Sequence, residues 1–218
     1  MSSSKPTQAA SVAIFCPQSK APDKAYLDQL RTFFINHPQL HKLADAVQRL
    51  SETWDVLAAR RPDIAALHQG PKYLRALYEW VETGASEPVA NAMSGILSLP
   101  LLVVIQTCQY FQYLQLARLT HAEFLRGLKT GGAQGYCGGL LPAIAVACAK
   151  DEEGVVSMAG IAMRIALAVG AYGELGDDEN LPGPTTIVLR LRHEGQGDDI
   201  VRKFPGVSIA SDMTLLLD

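Results

Sequence analysis

Apolar and polar positions alternate in three different rhythms along the chain. Met1–Ala10 is polar and Ser-rich, which predicts a disordered tail. Ser11–Phe15 (SVAIF) is a short apolar run closed by Cys16-Pro17-Gln18-Ser19, which predicts a buried strand that stops at a turn. From Asp23 to Arg60 the spacing is helical. Leu27, Leu30, Phe33 and Phe34 recur at three- and four-residue steps, as do Leu43, Val47 and Leu50. Asp23 and Ser51 have the short polar side chains of N-caps. Pro71–Thr83 carries Leu74, Leu77 and Val81 on one helical face, with Gly84 as its stop. Pro100–Ala117 predicts the next helix. Thr120 with Glu123 forms a capping box for a short helix to Leu128.

The rhythm then changes. Lys129–Gly139 (KTGGAQGYCGG) has five glycines in eleven residues and runs straight into the apolar, helix-like Leu140–Ala149. Val155–Tyr172 predicts a second long apolar helix, interrupted by Gly160 and Gly170, and Gly173–Gly183 an acidic loop. Thr185–Arg192 (TTIVLRLR) alternates and is β-branched, so it predicts a strand; Asp198–Phe204 predicts a short helix and Val207–Ala210 a strand. No internal repeat is present. An early strand, a central glycine turn and a late β segment predict an α/β fold with a large helical insertion between the first strand and the turn. The expected division is a tail at 1–10, a core at 11–184 and the start of a smaller second layer at 185–218. That layer reads as unfinished, which would leave an unpaired sheet edge and room for a complementary chain.

Composition narrows the classes. The chain is 48% hydrophobic and 19% charged, with a formal net charge of -3, which argues against a nucleic-acid surface. Leu97–Ala117 approaches the ~20 apolar residues of a membrane span. Pro100 and Gln106, Gln109, Gln112 and Gln115 interrupt it. The expectation is a buried helix whose glutamine stripe faces a partner or a cavity, with no membrane contact. Met1–Gln8 lacks the apolar run of a signal peptide. The four cysteines, Cys16, Cys108, Cys137 and Cys148, form neither a CxxC pair nor a metal spacing with histidine. Free thiols, no metal and a cytoplasmic setting are expected.

The chemistry concentrates in Gly135-Tyr136-Cys137-Gly138-Gly139. A G-x-nucleophile-x-G sequence between strand and helix makes a sharp turn that pushes the central side chain out at the helix start. There, free backbone N–H groups and the helix dipole favour a thiolate and an oxyanion. Alone, such a motif is more often a tight glycine loop around a small buried cysteine. The apolar helix that follows favours the elbow.

Further matches give the motif a family. Phe15-Cys16-Pro17-Gln18 resembles the Phe-x-x-Gln segment that opens acyl-carrier-protein acyltransferases. GYCGGLLPA resembles the cysteine elbow of the starter-unit acyltransferase domain of fungal non-reducing polyketide synthases. PLLVVIQTCQYFQYL and IVLRLRHEGQGDDIVRKFPGVSIAS resemble that branch too, so the likeness runs from Ser11 to about Thr214. The resemblance implies an α/β-hydrolase-like acyltransferase core with an incomplete ferredoxin-like small subdomain. It implies that Cys137 takes an acyl group from acyl-CoA, or from an acyl carrier, and passes it to the phosphopantetheine thiol of an acyl carrier protein. Gln18 and the Gly138 N–H would form the oxyanion hole. No cofactor is implied beyond these substrates.

Two departures from the family qualify this. Malonyl-type relatives carry a carboxylate-holding arginine on the helix after the elbow. Here Val169 or Gly170 stands in that place, with Arg164 a turn and a half earlier, so an uncarboxylated acyl group is implied. The family's general base is a histidine beyond the small layer. None of His37, His41, His68, His121 and His193 matches it, and only His193 is considered as a substitute. His37 and His41 read as surface residues, His68 as a loop residue and His121 as part of a capped helix start. A chain without its base would be weak or inactive alone. The alternatives are a non-catalytic scaffold that docks onto a synthase, and a thioesterase-like hydrolase.

Overall fold

A computed structural model describes residues 12–16, 22–90, 94–128, 131–175 and 195–204. The chain divides into two compact units, Met1–Asp177 and Asp178–Asp218. In the first, strand β1 (Ala13–Phe15) precedes α1 (Lys24–Asn36), a 3-10 turn at Pro38–Leu40, α2 (His41–Gln48), α3 (Leu50–Arg60), α4 (Pro62–Ala65), α5 (Gly70–Thr83) and α6 (Glu87–Ala90). The long helix α7 (Gly95–Ala117), α8 (His121–Gly127), strand β2 (Ala133–Gly135), a 3-10 turn at Cys137–Gly139, α9 (Leu140–Cys148) and α10 (Glu152–Glu174) follow. In the second unit the described element is α11 (Gln196–Lys203).

Local chemistry sets most helix ends. Asp23 caps α1 by accepting from the Tyr26 N–H at 2.9 Å. Gly84 ends α5 in the left-handed region at φ 85°, as its position predicts. Arg31 of α1 then donates to the α5 carbonyls of Trp80, Val81 and Glu82 at 2.7–3.1 Å, placing a cation on a helix C-terminus. The Thr120–Glu123 capping box opens α8 as expected. Asp151 caps α10 through the Gly154 N–H at 2.7 Å.

Some boundaries differ from the sequence pattern. Ser51 is not an N-cap: α3 starts at Leu50, and the Ser51 hydroxyl donates to the Gln48 carbonyl at 3.0 Å. α7 starts at Gly95 rather than Pro100, because Ser94 caps it and the Glu174 carboxylate accepts from the Ile96 N–H at 3.2 Å. Pro100 stays inside the helix and forfeits one backbone hydrogen bond. Gly160 and Gly170 do not break α10, which also absorbs Gly173 and Glu174 from the predicted loop. β1 is not a buried strand: Ile14 is 57% exposed, while Ala13 and Phe15 pack on the core. α11 matches the predicted short helix, starting two residues earlier and ending one residue earlier. Met1–Ala10, Thr185–Arg192 and Val207–Ala210 lie outside the described residues.

α7 and α10 form the centre of the first unit and pack along each other. Both are 23 residues long and apolar enough to cross a membrane by length and composition. Both contribute to the core through Val103, Val104, Ala159, Met163 and Leu167, which have no more than 1% of their surface exposed, whereas Ile161, Ile165 and Val169 of α10 are exposed. α2, α3 and α5 close the remaining sides with Leu43, Leu50 and Leu77. β1 and β2 pair in parallel, with Ala13 opposite Ala133 and Phe15 opposite Gly135. A parallel pair needs a crossover, and here α1–α8 supply it. Mostly helical with a small parallel sheet, the first unit agrees with the α/β class and the helical insertion.

Candidate active site

The two strands end side by side, and the elbow grows out of their register. The Tyr136 N–H donates to the Phe15 carbonyl at 2.9 Å, extending the ladder one residue past β2. The chain then reverses. Cys137 has φ 51°, in the left-handed region that non-glycine residues rarely occupy. The Gly139 N–H donates back to the Tyr136 carbonyl at 2.9 Å, and the turn continues without a break as the apolar helix Cys137–Cys148. Cys137 is exposed at the start of that helix.

The flanking glycines are sterically required. A Cβ on Gly135 would lie 2.3 Å from the Leu140 Cα, so strand and helix meet backbone to backbone there. A Cβ on Gly139 would lie 2.3 Å from the Phe15 carbonyl oxygen. A Cβ on Gly138 would lie 2.6 Å from Leu102 Cδ2 of α7. The motif thus reads directly as geometry. Glycine stands at the three places where the chain touches β1, α7 and its own helix, and side chains stand at Tyr136 and Cys137, which face solvent. A residue held at positive φ between a strand and a helix is the strained turn on which nucleophiles are mounted. Gly138, second residue of the helical run, lies where backbone N–H groups have no acceptor one turn back. Gln18 lies outside the described residues.

Beside this end of β1 lies a cavity of about 510 Å³. Phe15 and Cys16 form one wall, and Gln106, Gln109, Tyr110 and Tyr113 of α7 another. The glutamine stripe is therefore divided. Gln106 and Gln109 face the cavity, while Gln115 is exposed to solvent. Gln106 is only 4% exposed and donates through Nε2 to the Cys16 carbonyl at 2.6 Å. Gln109 donates to the Tyr26 hydroxyl at 2.6 Å.

His41 and His68 match their sequence reading, and His121 departs from it. His121 is fully buried, not merely a residue of a capped helix start. Its Nδ1 takes a 2.7 Å hydrogen bond from the Tyr110 hydroxyl and its Nε2 donates to the Ala149 carbonyl at 3.1 Å. Burial, with the Glu152 carboxylate adding to it, pushes the Tyr110 phenol well above its ordinary range, so it stays a donor. His41 is exposed with its Nε2 3.1 Å from the Ile35 carbonyl, and His37 stacks on Phe33 with ring centroids 4.1 Å apart. His68 is exposed in a turn. His193 lies outside the described residues. Of the thiols, Cys108 is buried, which pushes it well above the usual thiol range, whereas Cys16, Cys137 and Cys148 are exposed. On α10, Val169 is exposed and apolar, and Gly170 packs against the Gly95 backbone.

Sequence reading passed over Cys16 and Gln106 as parts of this site. The three-residue glutamine period was the available signal, but it does not say which member meets the end of β1.

Comparison with known proteins adds family evidence. The family described as "Starter unit:ACP transacylase in aflatoxin biosynthesis" matches residues 40–178, a span that contains the Cys137 elbow. The non-reducing polyketide synthase atr1 of Stereocaulon alpinum is 54% identical over 202 residues, 92% of this chain and 8% of that protein. The non-reducing polyketide synthase pks12 of Talaromyces marneffei is 52% identical over 149 residues, 66% of this chain and 8% of that protein. The non-reducing polyketide synthase ascC of Acremonium egyptiacum is 38% identical over 202 residues, 93% of this chain and 10% of that protein. The chain spans about a tenth or less of the length of these curated relatives.

Proposed function

The chain belongs to the starter unit:ACP transacylase family, and from that premise we propose that it carries a starter acyl group on Cys137 in polyketide biosynthesis. The observation that carries this reading is the exposed Cys137 at φ 51° on a turn that only Gly135 and Gly139 permit.

The Cys137 thiolate attacks the thioester carbonyl of acyl-CoA. The oxyanion that forms is held by the Gly138 N–H and by Gln18. Collapse breaks the bond to sulfur, and coenzyme A leaves as the thiolate and takes up a proton. The phosphopantetheine thiolate of an acyl carrier protein then attacks the acyl-Cys137 thioester by the same route, and the Cys137 thiolate leaves. No cofactor takes part beyond these substrates, and the setting is cytoplasmic, where thiols stay reduced.

The acyl group is uncarboxylated in this reading. Gly170 has no room for a side chain, Val169 carries no charge, and a carboxylate left without a cationic partner is costly to bury. The finer fold belongs to the same reading: a hydrolase-like core at 11–184 and a small ferredoxin-like layer beginning at 185.

Intact-protein mass spectrometry after incubation with acetyl- or hexanoyl-CoA tests it. A mass increase equal to the acyl group, absent in Cys137→Ala and chased onto a phosphopantetheinylated carrier protein, is expected. No adduct on the wild type refutes the role of Cys137. Release of free acid in place of the chase shows a hydrolase. Faster labelling by malonyl-CoA overturns the uncarboxylated assignment.

A further inference from the structure

We infer that Gln106 is a positioning residue for acyl transfer, holding the end of β1 in register with the Cys137 elbow. The inference rests on the assignment of Cys137 above. Successive carbonyls at the end of a strand point to opposite edges. The Phe15 carbonyl is taken by the Tyr136 N–H, and the next one, on Cys16, by Gln106 Nε2 at 2.6 Å. The strand end is therefore clamped from both sides, by the elbow strand and by α7.

The same helix face supports the elbow. Leu102 lies against Gly138, where a Cβ would approach it to 2.6 Å. Gln106 is four residues on, one turn along the same face. One rigid helix thus sets both the Gly138 N–H and the Cys16 carbonyl, and Cys16 is two residues before Gln18. The orientation of the amide is unambiguous, because the Cys16 carbonyl can only accept.

The side chain is also a poor choice for stability alone. Among the described residues its buried Oε1 has no hydrogen-bond partner, a condition that native structures avoid unless the group has a use. What the amide supplies is a donor fixed at one point, and catalytic geometry is sensitive on that scale.

The test uses the full chain with Gln106→Leu and Gln106→Glu. In the leucine variant, acylation of Cys137 by acyl-CoA is expected to fall on the order of 100-fold, the effect of a misplacement of about 1 Å. Alkylation of Cys137 by iodoacetamide, which forms no oxyanion, stays unchanged. In Gln106→Glu the protonated carboxyl can donate to Cys16 and the carboxylate cannot. The ratio of variant to wild-type acylation rates therefore rises as pH falls. Amide exchange at Tyr136 accelerates in Gln106→Leu, because its acceptor is no longer held.

Wild-type acylation in a folded Gln106→Leu chain overturns the inference, as does a parallel loss of alkylation. If Gln106→Leu fails to fold, a pH-independent rate ratio for Gln106→Glu overturns it. If the wild type takes no acyl group, the Cys137 assignment fails instead, and unchanged Tyr136 exchange then decides against Gln106.

Discussion

Gly170 of α10 meets Gly95 of α7 backbone to backbone: a Cβ on Gly170 would lie 2.3 Å from the Gly95 carbonyl oxygen. One turn later Glu174 accepts hydrogen bonds from the Ser94 hydroxyl and the Ile96 N–H. The crossing of the two central helices and the N-terminal cap of α7 are therefore one construction. Gly170→Ala is expected to force the helices apart and lower stability by about 1–3 kcal/mol, the usual effect of overpacking. Gly160→Ala is the control, since among the described residues its Cβ would meet only the Ala46 Cβ, at 3.2 Å, and no backbone of a neighbouring element. Urea denaturation of both variants measures the difference, and equal midpoints refute the account.

The Tyr110 hydroxyl, His121 and the Ala149 carbonyl form a buried chain that ties α7 to α8 and to the end of α9. Tyr110→Phe removes the donor and leaves His121 Nδ1 buried without a partner, which costs about 1–3 kcal/mol. The ring packing of Tyr110 on Phe124, with centroids 5.1 Å apart, is kept by phenylalanine. Denaturation midpoints of the variant and the wild type decide the matter, and no change means the hydroxyl has another role.

Thiol reactivity follows burial. Cys16, Cys137 and Cys148 are exposed and Cys108 is buried. In native protein three thiols are expected to react with iodoacetamide, and the fourth only after denaturant is added. Peptide mapping identifies the slow site. A rapidly labelled Cys108 contradicts the packing of α7.

The Glu123 carboxyl is held below its ordinary value of 4.5, first by the Thr120 backbone N–H and then by the Thr120 hydroxyl. A carboxyl depressed in the folded state contributes stability that is present above its unfolded value and lost as pH falls through the folded one. Melting temperature is therefore expected to drop below about pH 4.5, and to drop less in Glu123→Gln, which loses the titrating group. Equal slopes in the two proteins count against a role for this cap in acid stability.

Much of this architecture was legible residue by residue. Asp23, Gly84, Thr120 and Glu123 mark helix ends through hydrogen bonds made within four residues, so no distant partner is needed to see them. The five residues Gly135 to Gly139 specify the elbow because the turn itself demands glycine on both sides of Cys137. Ser51 misled, since a short polar side chain can bond a carbonyl inside a helical stretch as readily as it caps one. Pro100 misled because Glu174, 74 positions later, helps fix where α7 begins.

The local code thus determined the cysteine elbow, the helix caps and the apolar helices, because their causes lie within a turn or two of chain. Tertiary structure alone decided that Gly170 is a contact and not an interruption, that His121 is a buried tie, and that Gln106 of four similar glutamines meets Cys16. Each of these depends on which backbone comes close across the fold, and that distance is set by packing of segments far apart in the chain.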